Sequence, residues 1–246
     1  MLNNYYAQEY DFSPDKIYFY HSSYWKYKIR GRAFAKIAQK HINPKNVKNI
    51  FELGSGFGFN LIELKNIYKN ASIFSDDPDK RHHSNKVKIG KLNQKKYDII
   101  LLSHVLEHVV FPKNIISEII NSLSINGICI IEVPNDNSFL LSQKIYDEPH
   151  ITFFNCKSIE TLFSNFSNEI NIIEIYSSGL YINKKNDSTK IQIARNNYFQ
   201  RKIKIIKDIP SKNEFQKRIE RLTKKIPNSQ PDEKQGNVLR LLFRKK

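Results

Sequence analysis

The sequence predicts an α/β fold with a doubly wound, mostly parallel sheet, and three observations carry that expectation. Apolar, strand-like runs alternate with amphipathic helical segments from Asn49 to Val133. The first of these runs, Ile50-Phe-Glu-Leu, stops at an acid and three alternate glycines, Gly54, Gly56 and Gly58. The run from Tyr97 to Ser103 is apolar on both faces, as a central parallel strand has to be.

Taken in order, the chain opens with a tyrosine-rich segment (Tyr5, Tyr6, Tyr10, Tyr18, Tyr20, Tyr24, Tyr27) and a helix expected from about Ser22 to His41. Tyr27, Phe34, Ile37 and Ala38 give that helix an apolar face. It either covers a sheet edge or forms a lid over a site. A first strand is expected at Asn49–Leu53. The glycines that follow lack a Cβ, so the backbone can turn tightly and a ligand can lie against it. The next helix carries Leu61, Leu64 and Tyr68 on one face, and its N-terminal N–H groups point into the same space. A tight strand–helix connection would look the same. A dinucleotide fingerprint is excluded, because Gly-x-Gly-x-x-Gly needs a glycine where Phe59 stands.

Ala71–Ser75 reads as the second strand and runs into Asp76-Asp77-Pro78-Asp79. An acid here, about 20 residues after the glycines, is where a nucleoside ribose meets a carboxylate; Asp77 is the first choice and Asp76 the second. An Asp-Pro turn is the simpler use of the same residues. Lys86–Leu92 is a candidate third strand, reached by an abbreviated crossover. After the fourth strand come His104-Val-Leu-Glu-His108 and Phe111-Pro112, with Pro112 in the first turn of a helix. Ile115, Ile116, Ile119, Ile120 and Leu123 form its buried stripe. Asn126-Gly127 then turns into a fifth strand, Ile128–Val133, closed by Pro134-Asn135.

Composition bounds the function classes. At 246 residues, 40% hydrophobic and 12% aromatic, the chain can fold as one large α/β domain with an appendage, or as two small domains. No run approaches the roughly 20 apolar residues of a membrane helix, and the start lacks a secretory pattern, so no membrane span and a cytoplasmic location are expected. Cys129 and Cys156 have no metal spacing and read as packing thiols. Of the net charge of +16, residues 183–246 hold 19 Lys+Arg against 6 Asp+Glu, a net +13. The charge therefore belongs to the C-terminal quarter.

In this order the motifs Glu52-Leu-Gly-Ser-Gly-Phe-Gly58, Asp77, Tyr97-Asp-Ile-Ile, Val105-Leu-Glu-His108, Asn126-Gly127, Val133-Pro-Asn135 and His150-Ile-Thr-Phe-Phe154 carry a resemblance. Over roughly Asn49 to Phe154 the chain resembles class I S-adenosylmethionine-dependent methyltransferases of the small-molecule branch, similar to ubiquinone-pathway and surface-polysaccharide O-methyltransferases. The resemblance implies a seven-stranded Rossmann-like sheet with S-adenosylmethionine as cofactor. It implies that Glu52, Gly54, Gly56 and Gly58 surround the methionine part and that Asp77 accepts the ribose hydroxyls, with Ser103 at the end of the fourth strand. Many relatives end the third strand in an acid for the adenine amino group; here Gly90 is followed by Lys91 and Leu92, and backbone contacts from Leu92 are the implied substitute.

Methyl transfer to a hydroxyl needs alignment of the reacting atoms and removal of a proton. Histidine is the natural base near neutral pH, and His104, His150 and His108 are the candidates, each of which could instead be a packed, hydrogen-bonded side chain. His104-x-x-Glu107-His108 also spells the inverted zincin pattern, but the core strand before it and the resemblance account for the site without a peptidase. No metal is expected; because some ubiquinone-pathway relatives use a divalent ion near this turn, His104, Glu107 and His108 form the alternative metal set.

Glu169–Tyr176 reads as the sixth strand. Asn237–Arg244 resembles the family's seventh strand, which inserts antiparallel between the fifth and sixth. The domains expected are an N-terminal helical cap (1–45), a cofactor-binding core (46–182), a basic helical insertion or lid (183–234) with a helix at Asn213–Ile226, and the final core strand (235–246). The expected acceptor is small and anionic: a phosphorylated, nucleotide-activated or phosphoramidate precursor of a bacterial surface polysaccharide, methylated on oxygen. No specific nucleic-acid partner is expected. An RNA methyltransferase that binds phosphates through the basic segment is the alternative, although Asn135-Asp136-Asn137 is not the aromatic signature of base N-methyltransferases.

Overall fold

The computed structural model describes residues 17–78, 86–135, 150–181 and 236–246. The basic segment 183–234, its expected helix Asn213–Ile226, the first tyrosines and Asp79 lie outside the described residues.

The strands β1 (Asn49–Leu53), β2 (Ser72–Asp76), β3 (Lys88–Ile89), β4 (Tyr97–Ser103), β5 (Leu123–Pro134), β6 (Ile170–Tyr181) and β7 (Gly236–Lys245) form one sheet in the order β3-β2-β1-β4-β5-β7-β6. Every adjacent pair from β3 to β5 is parallel, and β7 runs antiparallel to both β5 and β6. The last strand therefore inserts between the fifth and sixth, as its sequence resemblance implies. The direction of winding changes between β1 and β4, and ligands of such sheets bind at the carboxyl ends of the strands flanking that point.

Helices α1 (Ile17–His41), α2 (Phe59–Ile67), α3 (Pro112–Ser122) and α4 (Cys156–Ser164) complete the described elements. Their apolar stripes sort into two cores, one on each face of the sheet. On one face α1 and α2 bury Phe34, Ala38, Leu61, Leu64 and Tyr68 against Ile50, Ile99 and Leu101. On the other, α3 and α4 bury Ile116, Ile119, Ile120, Ile159 and Phe163 against Phe51, Ile100 and Phe243. Alternate residues of β1 and β4 enter opposite cores, which is why Ile50-Phe51 and Ile99–Leu102 are continuous apolar runs. A boxed cap starts α4: the Asn155 side chain accepts from Ser158 N, and the Ser158 hydroxyl accepts from Asn155 N.

Several expectations change in detail: the first helix starts at Ile17 rather than about Ser22, and the second strand is Ser72–Asp76 rather than Ala71–Ser75. Helix α1 lies on the face of the sheet and on α2 rather than along an edge, and ion pairs from Lys28 and Arg32 to buried Glu63 fasten it there. The third strand shrinks from the expected Lys86–Leu92 to Lys88–Ile89, because only Phe74 and Ser75 of β2 pair with it. The fifth strand begins at Leu123, not Ile128, since Leu123 already pairs with Tyr97. The Asn126-Gly127 turn survives inside it as an irregularity: Asn126 has φ +62°, and a Cβ on Gly127 would lie 2.8 Å from the Ser124 carbonyl oxygen. The sixth strand runs five residues past the expected Tyr176, to Tyr181.

Candidate active site

The glycine turn is built as a cradle. Gly54, Gly56 and Gly58 all have positive φ, in the region that favours glycine. They differ in what a side chain would meet. A Cβ on Gly54 would lie 2.6 Å from Val105, whereas one on Gly56 would find nothing within 4 Å. Open space beside a left-handed glycine is where a ligand can approach the backbone. The turn is clamped to β2: Gly56 N donates to Asp77 Oδ2 at 2.6 Å, Gly54 N to the Asp76 carbonyl at 2.9 Å, and the Ser75 and Ser55 hydroxyls meet at 2.6 Å. Asp77 is thus buried against the glycines, and Asp76 ends the strand beside it.

Under this cradle Glu52 is fully buried. Asn60, in the first turn of α2, donates to its Oε1 at 2.6 Å, while Oε2 has no hydrogen-bond partner among the described residues. Burial pushes its pKa up to about 8, against the Asn60 hydrogen bond, with Asp77 adding to the rise. A buried carboxylate with one oxygen unused suits a cationic ligand. The Ser103 hydroxyl at the end of β4 is likewise buried and unpartnered among the described residues. Leu92 lies three residues past β3 and packs partly buried against the core.

The second half of the site follows β4. His104 has φ +57°, strained for a residue with a side chain, and its backbone N donates to the Glu132 carbonyl at 2.8 Å. Its ring sits between two buried carboxylates, Nδ1 at 3.3 Å from Glu107 and Nε2 at 3.4 Å from Glu132. Burial alone would lower its pKa, but the two carboxylates outweigh that and raise it, despite the nearby Arg30 cation. Leu106–His108 forms a 3-10 turn whose Glu107 is wholly buried. The Glu107 carbonyl accepts from Ile151 N at 2.9 Å and Thr152 N at 3.0 Å, which brings His150 beside it. His108 Nε2 and His150 Nε2 stand 3.8 and 3.9 Å from Glu107 Oε1, and the two rings are 4.8 Å apart.

All three candidate histidines therefore gather on one carboxylate. The alternative metal set is rearranged: the ligand atoms that lie within 4.8 Å of one another belong to Glu107, His108 and His150, not to His104. Sequence reasoning passed over Glu132, Arg30 and Arg240. Arg240 Nε lies 2.6 Å and Arg30 Nε 2.9 Å from the two oxygens of Glu132. The usable signal was a lone acid inside the apolar run Ile128–Val133. A separate cavity of about 330 Å³ opens near the amino ends of β4 and β5, lined by His41, Asp98, Asn126 and Arg244. It is remote from the strand ends that carry the chemistry.

Glycine cradle, buried acid and strand-end histidines lie together at the carboxyl ends of the parallel strands. A methyltransferase-domain family model matches residues 24–168, and the chain belongs to that family. It is an S-adenosylmethionine-dependent methyltransferase, with S-adenosylmethionine as its cofactor. Among solved structures it is similar to the plantazolicin methyltransferase BpumL in complex with a monoazolic desmethyl analog and SAH, at 14% identity and TM-score 0.59, covering 100% of this chain and 94% of that one. A possible histamine N-methyltransferase from Thermotoga maritima aligns at 12% identity and TM-score 0.55, covering 96% of both chains. A methyltransferase from Archaeoglobus fulgidus aligns at 15% identity and TM-score 0.53, covering 94% of this chain and 100% of that one. No curated protein matches. No described helix is long and apolar enough to cross a membrane.

Proposed function

We propose that the enzyme methylates an oxygen of a small anionic acceptor, of the kind found in phosphorylated, nucleotide-activated or phosphoramidate precursors of a bacterial surface polysaccharide. The observation that carries the reaction is the adjacency of two half-sites at the carboxyl ends of β1, β4 and β5. One is the open cradle over Gly56 with Glu52; the other is the cluster of three histidines around Glu107.

When bound, S-adenosylmethionine supplies an electrophilic methyl group on a cationic sulfonium. Glu52 and the glycine turn hold the methionine portion, Asp77 takes the ribose, Leu92 borders the adenine and Ser103 lies where the two half-sites meet. On the acceptor side Glu107, His108 and His150 surround the hydroxyl that must give up its proton. His104, held between two carboxylates, positions this cluster by fixing Glu107 against Glu132. An anionic acceptor suits the basic segment 183–234, whose 15 Lys+Arg against 6 Asp+Glu, a net +9, draw anions toward the enzyme; on this reading residues 183–234 are a lid.

The test is transfer of a labelled methyl group to a panel of sugar phosphates, nucleotide sugars and uncharged alcohols. Transfer to the anionic members alone supports the proposal. Transfer only to uncharged alcohols, or to RNA, sinks it.

A further inference from the structure

We propose that Glu107, His108 and His150 form a binding site for a divalent ion of the zinc class. Glu107 and His108 are neighbours in the 3-10 turn after β4, and His150 arrives from beyond β5. Two backbone bonds to the Glu107 carbonyl hold the arriving segment in register. The convergence of the three side chains is therefore built by the backbone.

The spacing is that of ligands rather than of hydrogen bonds. Separations of 3.8 and 3.9 Å from Glu107 Oε1 to the two Nε2 atoms exceed any real hydrogen bond. Donors around a tetrahedral ion, with bonds of about 2.0–2.2 Å, stand about 3.4 Å from one another. Small rotations of the side chains close the difference.

Glu107 is fully buried; His104 Nδ1 stands 3.3 Å from its Oε1, and its Oε2 accepts no hydrogen bond among the described residues. A buried carboxylate in that condition is costly, and an ion among its neighbours is a standing explanation. The ligand set implied by family resemblance does not fit, because both nitrogens of His104 face carboxylates, Glu107 and Glu132. Doubly paired in this way, His104 serves as a second-layer cation and not as a ligand. His150 takes its place.

Two imidazoles and one carboxylate suit zinc and its borderline neighbours; magnesium prefers an all-oxygen shell. Three protein ligands also leave coordination open, as catalytic rather than structural zinc sites do. Such an ion would lower the pKa of an acceptor hydroxyl. That use rests on the methyl-transfer reading, whereas binding of the ion does not.

Untagged full-length protein, loaded with Zn²⁺ and dialysed, is expected to retain one equivalent, undiminished by a 100-fold excess of Mg²⁺, a ratio chosen to expose hard-ion binding. His108→Gln and His150→Gln should weaken retention at least about 100-fold while S-adenosylhomocysteine still stabilises both proteins; His104→Gln, which leaves all three ligands in place, should weaken it by a much smaller factor. X-ray absorption on zinc-loaded wild type should count two imidazoles, which tests the site even if a variant fails to fold. No retention by wild type, retention unchanged in His150→Gln, or fewer than two imidazoles overturns the proposal. Loss of zinc with S-adenosylhomocysteine still bound would spare the methyl-transfer reading, and zinc retained without S-adenosylhomocysteine binding would do the reverse.

Discussion

Arg240 of β7 meets Glu132 of β5 at 2.6 Å inside the sheet, closing a contact between residues 108 apart in sequence. Glu132 is 1% exposed and Arg240 only 8%. Burial would raise the Glu132 pKa, but Arg240 first, then Arg30 and His104, hold its carboxyl well below the usual range. The pair fastens the last strand to the site and sets the first prediction. Arg240→Met takes the nearest of three cationic partners from a buried carboxylate and should cost up to about 3 kcal/mol in denaturant unfolding, whereas the double variant with Glu132→Gln should recover much of that. Because the folded pKa is depressed, this stabilisation is present above the unfolded carboxylate pKa and is lost as pH falls below it. An equal loss in single and double variants would show that the ion pair is not the cause.

The glycine cradle separates folding from binding. Gly54→Ala drives a Cβ into Val105 at 2.6 Å and should lower the melting temperature with or without ligand. A Cβ at Gly56 meets no neighbour within 4 Å, so the main cost of Gly56→Val is the left-handed strain of a β-branched residue, on the order of 1–2 kcal/mol. The substitution should nevertheless abolish the rise in melting temperature that S-adenosylhomocysteine gives wild type by binding only the folded state. A normal ligand shift in Gly56→Val would remove the cradle from the site.

Much of this architecture was legible because local signals agree with the global fold. The apolar run that stops at the glycines marked Asn49–Leu53, two-sided apolarity marked Tyr97–Ser103, both to the residue, and Pro112 with its isoleucine stripe marked α3. The short β3 was not legible, since its bounds depend on how few residues of β2 are left to pair with it. The charge network was legible only in part. Glu132 looked anomalous in an apolar run, but nothing local says that its partners are Arg30 and Arg240, brought from near the two ends of the chain by sheet order. The same holds for His150, whose place beside Glu107 is set by two backbone bonds that no spacing rule reveals.

Glu52 should make cofactor binding a proton-linked event. Its pKa of about 8 means that the buried acid is largely protonated at neutral pH, and a cationic ligand favours its ionised form. Calorimetry of S-adenosylmethionine binding at pH 7 in buffers of different ionisation enthalpy is expected to show release of a proton. The folded pKa is raised, so stability of the free enzyme is greatest below the unfolded pKa and falls as pH rises toward 8. Glu52→Gln should therefore stabilise the free protein at pH 7, by at most about 3 kcal/mol, while weakening binding. Buffer-independent heats would refute the linkage.

The basic segment distinguishes the two acceptor classes. Neutralising Arg218, Arg221, Lys224 and Lys225 together should leave nucleic-acid affinity negligible at physiological salt, as in wild type, because attraction of a polyanion to a basic surface is screened there. An RNA enzyme would instead bind tightly at that salt. Its log K would fall by about 0.7–0.9 per phosphate contact for each decade of salt, and the four-fold variant would lose both the affinity and the slope.

His104 tests whether the strained histidine after β4 is a base or a brace. A base must be free to take a proton, yet both ring nitrogens of His104 lie against buried carboxylates that raise its pKa. A group with a raised folded pKa stabilises the protein fully below its unfolded value, near 6.5, and loses that contribution as pH rises through the folded value. His104→Ala should therefore destabilise strongly at pH 6, by about 3–5 kcal/mol for an uncompensated buried charge, and much less at pH 9. Its turnover, measured where the variant remains folded, should fall less than the roughly 10²–10⁴-fold expected for removing a general base or its equivalent. His150→Ala should show the opposite pattern, with little change in stability and the full loss of turnover. If His104→Ala folds normally at pH 6 and loses turnover by the larger factor, His104 is the base and the cluster around Glu107 is its support.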